Sequence, residues 1–339
     1  MRTHNAVVFR EVGMTDVTPE QKDSALGTMD INKDGRIEFK EFLQVLNSIG
    51  GGSGGAEGIT ETVTKGGIAS VIRQTTSGTH HTYSIEEKEA YSRVFNEALK
   101  EDQDCKHLIP INPESEDLWS AVGDGILLSK FIEKIQPGTI DRRVLNLKAN
   151  LNVWQINENV NMALAAAKSL GCLIQSVDAR TIQNKTEYLI LGVVWQRVRL
   201  YLVKAIDLKH VPEITRLLQE GEELNELQKL PPEKILIRWL NYHLEKDGTD
   251  RRAKNLGKDL ADGEIYIRVI NQLDKNSISK DLLNENDKVK RGQGIIKGAE
   301  KLGVTSAIKP SDIASGNVKL NTLFTSLIFN AKHGLEELA

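Results

Sequence analysis

The stretch that decides the fold is 186-TEYLILGVVWQRVRLYLVKAI-206. Its apolar residues recur at helical spacing on almost every side, which is typical of a central core helix. One side carries Leu191, Val194, Trp195, Val198 and Leu202, and the opposite side carries Ile190, Val193 and Leu200. Arg197 and Arg199 interrupt the apolar run, so it does not reach the roughly 18 uncharged apolar residues of a membrane span. The end of this helix is both basic and apolar, and it could face a partner.

The composition is that of an ordinary globular protein. The 339 residues leave room for two or three domains. Hydrophobic residues make up 40% of the chain and charged residues 27%, which are average values. The net charge of -3 does not favour nucleic acid as a partner, because nucleic-acid-binding domains are usually strongly basic.

Two further observations narrow the class of protein. Met1–Gly13 has no pattern of a secretory signal. Cys105 and Cys172 are too few for a disulfide framework, which fits a reducing cytosol. Because the apolar residues recur at helical rather than alternating spacing, we predict an all-α fold without a membrane span.

A calcium-binding loop is predicted at Asp30–Glu41. Oxygen-bearing side chains stand at the alternate positions that calcium coordination requires, and Gly35 permits the sharp turn. The predicted Ca2+ ligands are Asp30, Asn32, Asp34, Arg36 through its backbone carbonyl, Glu38 directly or through water, and Glu41 with two oxygens. A capping box at Thr18–Gln21 starts an entering helix, and Phe39–Leu46 has one apolar face. The alternative is an Asp/Asn-rich surface turn, but loop and helices agree, so we predict one complete EF-hand in residues 1–49.

A flexible linker is predicted for residues 50–83, because it opens with Gly50-Gly-Gly-Ser-Gly-Gly55. An apolar cluster follows within it, formed by Ile59, Val63, Ile68, Val71 and Ile72. This cluster has two interpretations. It is either incidental β-branched content or a short docking segment that makes an intramolecular contact with the EF-hand headpiece.

The rest of the chain contains an internal repeat. The segment 124-DGILLSKFI-132 returns as 262-DGEIYIRVI-270, and 166-AAKSLGC-172 returns as 298-GAEKLGV-304. Two further pairs keep the same order, at 177-VDA-179 with 310-PSD-312 and at Leu189–Trp195 with Leu320–Leu327. We therefore predict two copies of one helical domain, in residues 84–208 and 230–339, with an inter-domain connection at 209–229.

Tandem helical domains with an Asp-Gly helix and a closing Leu-x-x-Gly-x-x-Trp helix resemble paired calponin-homology domains. With an EF-hand ahead of them, the chain resembles the fimbrin (plastin) family over nearly its whole length. The resemblance is carried by 104-DCKHLIPINP-113, 157-NENVNMAL-164, 220-EGEELNEL-227 and 236-LIRWLNYHL-244. It implies a calcium-regulated, filamentous-actin-binding protein of the cytoplasm and actin cytoskeleton, which contributes to filament cross-linking and bundle assembly.

The resemblance also implies where actin binds. In the family, filament contacts come from three helical segments, which fall here on Ile85–Leu99, Glu187–Ile206 and Glu233–Leu244. The candidate contact residues are Lys88, Arg93, Asn96, Arg197, Arg199, Leu200, Val203, Lys204, Lys234 and Arg238. The family carries two tandem domains and a pair of EF-hands. This chain has one tandem pair and one complete hand, so we expect a fragment or a shorter relative.

No catalytic constellation is present in the sequence, which lacks Gly-x-Ser-x-Gly, His-Glu-x-x-His and a phosphate-binding loop. We therefore predict that the protein is not an enzyme. The four tryptophans fall on predicted helices and are expected to be core anchors, at Trp119, Trp154, Trp195 and Trp239. The alternative function is a calcium-sensing helical scaffold that binds a protein other than actin.

Overall fold

The computed structural model describes residues 60–65, 68–74, 80–148, 150–174 and 177–338. The predicted EF-hand in residues 1–49, with all its calcium ligands, lies outside the described residues, and so does Gly50–Gly55. The predicted contact between headpiece and linker therefore stays a prediction.

A small antiparallel sheet precedes the first repeat. Its strands are β1 (Thr60–Lys65), β2 (Ile68–Gln74) and β3 (His80–Ser84), which pair in the order β1-β2-β3. The register places Val63 opposite Ser70 and Val71 opposite Tyr83. This sheet differs from the flexible linker predicted for residues 50–83 and adds strands to the predicted all-α fold. The physical reason is the threonine, valine and isoleucine content of the segment, since β-branched residues favour extended backbone.

The first repeat contains six helices within the described residues. They are α1 (Ile85–Leu99), α2 (Asp117–Ala121), α3 (Ile126–Ile135), α4 (Val153–Ser169), α5 (Ala179–Gln183) and α6 (Glu187–Val203). Strand β3 runs directly into α1, where the Ser84 hydroxyl accepts a hydrogen bond from the Glu87 N–H at 3.2 Å. Ile190, Val194 and Val198 of α6 are fully buried, so this helix is the central core helix that its spacing predicts.

The second repeat follows a short 3-10 segment at Pro212–Leu217. Helix α7 (Leu224–Gln228) still belongs to the inter-domain connection. The described helices of the second repeat are α8 (Pro232–Lys246), α9 (Glu264–Leu273), α10 (Lys288–Lys301), α11 (Pro310–Ser315) and α12 (Val318–Ala331). Helix α12 is the core helix of the second repeat, as α6 is of the first, because its Leu323, Phe324 and Ile328 are buried. Both repeats are helical, as predicted. Across the described ranges, no helix combines the length and apolarity that a membrane crossing needs.

The repeated Asp-Gly pair has the same structural role in both copies. The Asp124 carboxylate accepts a hydrogen bond from the Ile126 N–H at 2.8 Å, and Asp262 accepts one from the Glu264 N–H at 3.0 Å. Each aspartate therefore satisfies a free donor at a helix start. Gly125 has a φ of 76°, in the left-handed region that favours glycine. A Cβ added there would lie 2.6 Å from a backbone nitrogen of α4, so this turn and α4 approach closely.

Candidate functional site

Two predicted contact residues of α1 hold the loop that follows this helix. Lys88 is buried, and its Nζ donates to the Ser115 carbonyl at 2.6 Å and pairs with Glu116 at 3.4 Å. The Asn96 amide donates to the Ile111 carbonyl at 2.8 Å and accepts from the Ile111 N–H at 2.7 Å. Both side chains are used inside the first repeat, so in this arrangement they stabilise the fold rather than face a partner.

Arg93 reaches from α1 to the second repeat. Its guanidinium donates to the Ala307 carbonyl at 3.2 Å and pairs with Glu89 of its own helix at 3.2 Å. Lys309 of the second repeat pairs with the same Glu89 at 2.5 Å. Arg93 is therefore part of a contact between the repeats.

Arg197 is a core residue rather than the surface residue that its charge suggests. It is 0% exposed and donates to the Val193 carbonyl at 2.9 Å and to the Ala163 carbonyl of α4 at 3.2 Å. Burial lowers the pKa of its guanidinium to about 10, because the charged form loses its hydration. Val203 is buried as well. The expectation that Arg197 and Val203 face a filament needs this correction, since both point into the packed interior.

Arg199 joins two of the predicted contact segments to each other. Its Nη2 donates to one carboxylate oxygen of Glu233 on α8 at 2.9 Å, and its Nε donates to the other. The hydrogen bonds to Glu233 raise the pKa of Arg199. Lys204, the residue directly after α6, donates to the Ile135 carbonyl, and Leu200 of α6 is half-buried against the core. The basic end of α6 is thus largely engaged within the protein.

On α8, the two predicted contact residues differ in their surroundings. Arg238 donates to Glu222 at 2.9 Å and to the Leu217 carbonyl at 3.3 Å, which holds the inter-domain connection against α8. The hydrogen bond from Arg238 lowers the pKa of Glu222. Lys234 is exposed, and its ammonium has no hydrogen-bond or ion-pair partner among the described residues. Of the ten candidates, Lys234 is therefore the side chain that is free to meet a partner in this arrangement.

The second repeat covers parts of α1 and α6, a feature that the sequence did not reveal. Glu87 of α1 pairs with Lys319 at 2.7 Å and accepts a hydrogen bond from Asn317 at 3.0 Å. Lys319 also lies 5.9 Å from the ring of Trp195, which stacks on Tyr91 at 5.5 Å. We call these contacts the inter-repeat interface. It consists of Glu87, Glu89, Arg93, Trp195 and Arg199 on one side and Glu233, Ala307, Lys309, Asn317 and Lys319 on the other.

The prediction that all four tryptophans anchor the core is wrong for one of them. Trp119 and Trp239 are buried, and Trp195 is half-buried beside the inter-repeat interface. Trp154 is 79% exposed in the first turn of α4. The sequence could not separate this residue from the others, because an aromatic residue in a first helical turn packs inward or outward according to tertiary context.

Comparison with known proteins identifies the two repeats. Residues 85–202 and 230–334 match the calponin homology (CH) domain, and these matches cover more than half of the chain. Human Plastin-1 is 37% identical over 327 residues, which are 91% of this chain and 50% of the relative. Zebrafish (Danio rerio) Plastin-2 is 36% identical over 321 residues, with shares of 91% and 51%. The chain belongs to the fimbrin/plastin family of CH proteins. Among solved structures, the actin-crosslinking core of Schizosaccharomyces pombe fimbrin resembles it with a TM-score of 0.66 and 35% identity, covering 76% of this chain and 52% of that one.

Membership in the fimbrin/plastin family confirms the predicted resemblance and the tandem CH fold. It also confirms that the protein is not an enzyme, on the ground of the family itself. The chain spans about half the length of the curated relatives it matches. What those longer relatives do is therefore a proposal for this chain.

Proposed function

We propose that this chain binds filamentous actin in the cytoplasmic actin cytoskeleton, supplies one of the two filament-binding units that bundle assembly requires, and is regulated by calcium. The observation that carries this proposal is the likeness to the actin-crosslinking core of S. pombe fimbrin, with 35% identity and a TM-score of 0.66. This degree of identity supports a shared use of the tandem CH pair as well as a shared fold.

The exposed face of α8 is the surface we propose for the first contact with the filament. Lys234 is exposed and unpaired among the described residues, and a free ammonium attracts an acidic filament without first breaking an ion pair. The other two segments, α1 and α6, carry the inter-repeat interface. Their use as filament contacts requires the second repeat to move away from Glu87, Arg93 and Arg199.

Co-sedimentation with filamentous actin tests this proposal. We expect the wild-type chain to pellet with filaments and to lose affinity as salt is raised, because exposed charges are screened. Lys234→Glu should weaken pelleting without lowering the melting temperature. The matched control is Lys290→Glu, a charge reversal at an exposed lysine of α10 in the second repeat. A wild-type chain that stays in the supernatant would contradict the proposal and favour the scaffold alternative.

Bundling is tested separately, by low-speed sedimentation together with a mass measurement. Each tandem CH pair is proposed to supply one filament-binding unit, and cross-linking two filaments requires two such units. We therefore expect the 339-residue chain to decorate filaments as a monomer without bundling them. Bundling by a proven monomer would show that a single tandem pair carries two filament contacts.

Calcium binding is proposed for Asp30–Glu41, on the spacing of its oxygen ligands. We expect an affinity no tighter than the sensor range of roughly 10⁻⁷–10⁻⁵ M. Glu41→Gln should remove most of the affinity, because it replaces the ligand that contributes two oxygens. Glu57→Gln, an equal change outside the loop, should leave it intact. Calorimetry that finds equal calcium binding in both variants would overturn the assignment.

A further inference from the structure

A buried carboxylate of the second repeat lies beside the inter-repeat interface. Asp312 belongs to α11 and is only 2% exposed. Its Oδ2 accepts a hydrogen bond from the Lys309 N–H at 2.7 Å, whereas its buried Oδ1 has no hydrogen-bond partner among the described residues. A charged oxygen that has lost its hydration without gaining a donor is unfavourable. The ionised form of Asp312 is therefore poorly accommodated at this place.

Helix α1 of the first repeat adds negative charge next to this carboxylate. Glu86 and Glu89 lie close enough to Asp312 to repel its charge. Glu89 is itself buried and pairs with Lys309 at 2.5 Å and with Arg93 at 3.2 Å. Lys309 offsets the charge of Asp312, but Glu89 shares the same ammonium. Three carboxylates from two repeats are thus held together with two cations.

The charged groups on the other elements around α11 are engaged with other partners. On α12, Lys319 is held in its ion pair with α1 at 2.7 Å. On α10, which contacts α11 at Gly292, the adjacent Arg291 donates to backbone carbonyls at 2.7 and 3.1 Å. Glu114, in the loop after α1, lies 3.9 Å from Lys309 and adds a further negative charge. This arrangement leaves the charge of Asp312 incompletely balanced while the repeats are in contact.

We propose that Asp312 makes the contact between the two repeats sensitive to pH, so that the repeats hold together more tightly when its carboxyl group is neutral. The proton belongs on Oδ1, because Oδ2 keeps its hydrogen bond from the Lys309 N–H. A neutral carboxyl group removes the repulsion from Glu86 and Glu89 and leaves the pairing of Glu89 with Lys309 and Arg93 intact.

The direction of the pH effect follows from linkage. Burial, reinforced by repulsion from Glu86 and Glu89, raises the pKa of Asp312 to about 6. Movement of the second repeat away from α1 removes both glutamates, so the pKa then falls towards its ordinary value of about 4. The closed arrangement binds the proton more tightly, so acidification favours closure and the ionised carboxylate opposes it above pH 6. If closure causes the whole shift, the closing equilibrium strengthens by about fourfold between pH 7.5 and 5.5, which is an upper limit.

The consequence for filaments rests on the proposed function. A filament that engages α1 and α6 needs the repeats apart, so it should bind less tightly at the lower pH. The pH-dependent contact itself is a property of the chain alone and is tested without actin.

The first test measures the pKa of Asp312 in the full chain, by NMR of isotope-labelled aspartate carboxyl groups, with Asp312→Asn to assign the signal. We expect a midpoint near pH 6 in the wild type. Glu86→Gln should lower it, because this change removes a charge that acts from the other repeat. The matched control is Glu97→Gln, at an exposed glutamate of the same helix, which should leave the midpoint unchanged. A wild-type midpoint near 4, or one that Glu86→Gln does not move, would overturn the inference.

The second test is co-sedimentation with filamentous actin at pH 7.5 and 5.5. Asp312→Asn imitates the neutral carboxyl group and keeps an acceptor for the Lys309 N–H. It should bind filaments more weakly than the wild type at pH 7.5 and lose less affinity on acidification, by a factor of up to about four. Asp250→Asn, at an exposed aspartate of the second repeat, should match the wild type and reports any pH response of actin itself.

The two tests separate this inference from the proposed function. If the wild-type chain does not pellet, the proposed function fails, and the NMR midpoints still decide whether Asp312 senses the first repeat. If the wild type pellets and Asp312→Asn has the same affinity and the same pH response, the proposed function stands and the inference is wrong.

Discussion

Replacement of Arg197 by methionine tests what this buried cation contributes to the fold. Burial lowers the pKa of its guanidinium to about 10, which corresponds to about 3 kcal/mol against the charged form. Its two hydrogen bonds, to the carbonyls of Val193 and Ala163, oppose this with about 1.5 kcal/mol each. The two effects nearly cancel, and methionine preserves most of the apolar stem. We therefore expect the free energy of unfolding of Arg197→Met to lie within about 1 kcal/mol of the wild-type value.

Arg197→Glu should behave very differently. It places a carboxylate in the same buried site, where the neighbouring oxygens of Val193 and Ala163 repel it, and a loss above about 3 kcal/mol is expected. Thermal and urea unfolding, followed by circular dichroism, measure both variants, with Lys234→Glu as an exposed charge reversal for comparison. If Arg197→Met is destabilised as strongly as Arg197→Glu, the charge itself is needed and the balance above is wrong. A charge reversal at Arg197 therefore cannot report on filament contact alone.

Three other predictions concern the turn, the pH response and the interface. Gly125→Ala should lower the free energy of unfolding in urea by about 2–4 kcal/mol, since its φ is 76° and a Cβ would lie 2.6 Å from a backbone atom of α4. Gly138→Ala should lower it by only about 1 kcal/mol, because Gly138 has a φ of 84° but no atom within 4 Å of an added Cβ. Burial lowers the pKa of His243 to about 4, so the stability of the native state falls as the pH drops from about 6.5 towards 4. His243→Gln should flatten the melting-temperature profile over this pH range, and an unchanged slope would exclude His243 as the cause. Glu233→Ala should lower the free energy of unfolding by at most about 1 kcal/mol, because Arg199 and Glu233 are 37% and 28% exposed. It should nevertheless increase filament pelleting, because it releases Arg199; equal pelleting would show that this ion pair does not restrain binding.

The sequence predicts the helical repeats well because apolar spacing alone reports which side of a helix is buried. The spacing of α6 identified it as the core helix, and the recurrence of Asp124-Gly125 at Asp262-Gly263 identified the duplication. Both features are local, so they can be read without knowledge of neighbouring elements. The sheet at 60–84 was missed because the glycine run Gly50–Gly55 ahead of it indicates flexibility, whereas the β-branched residues that follow determine the strands.

The candidate contact residues were harder to predict, since charge in a sequence does not reveal where a long side chain ends. Lys88 and Arg197 are basic residues of the kind that forms binding surfaces, but both side chains are buried and donate to backbone carbonyls. Trp154 shows the converse error, because its residue type suggests the core and its side chain lies in solvent. For Lys88 and Arg197, the decisive contacts are with Ser115 and Ala163, which are distant in sequence and which no local pattern contains.

The inter-repeat interface and the segments expected to bind actin use the same side chains, and this overlap has a thermodynamic consequence. Arg199 cannot hold Glu233 and a filament at once, and Glu87 cannot remain paired with Lys319 if α1 is to be uncovered. A filament that engages α1 and α6 therefore binds only the separated repeats, and it shifts the equilibrium by no more than its difference in affinity for the two arrangements. The apparent affinity of those segments equals their intrinsic affinity multiplied by the fraction of molecules in which the repeats are apart. Lys234 lies outside this competition, because its side chain makes none of the contacts of the interface. A contact at Lys234 can consequently form first and supply part of the binding free energy against which the interface opens.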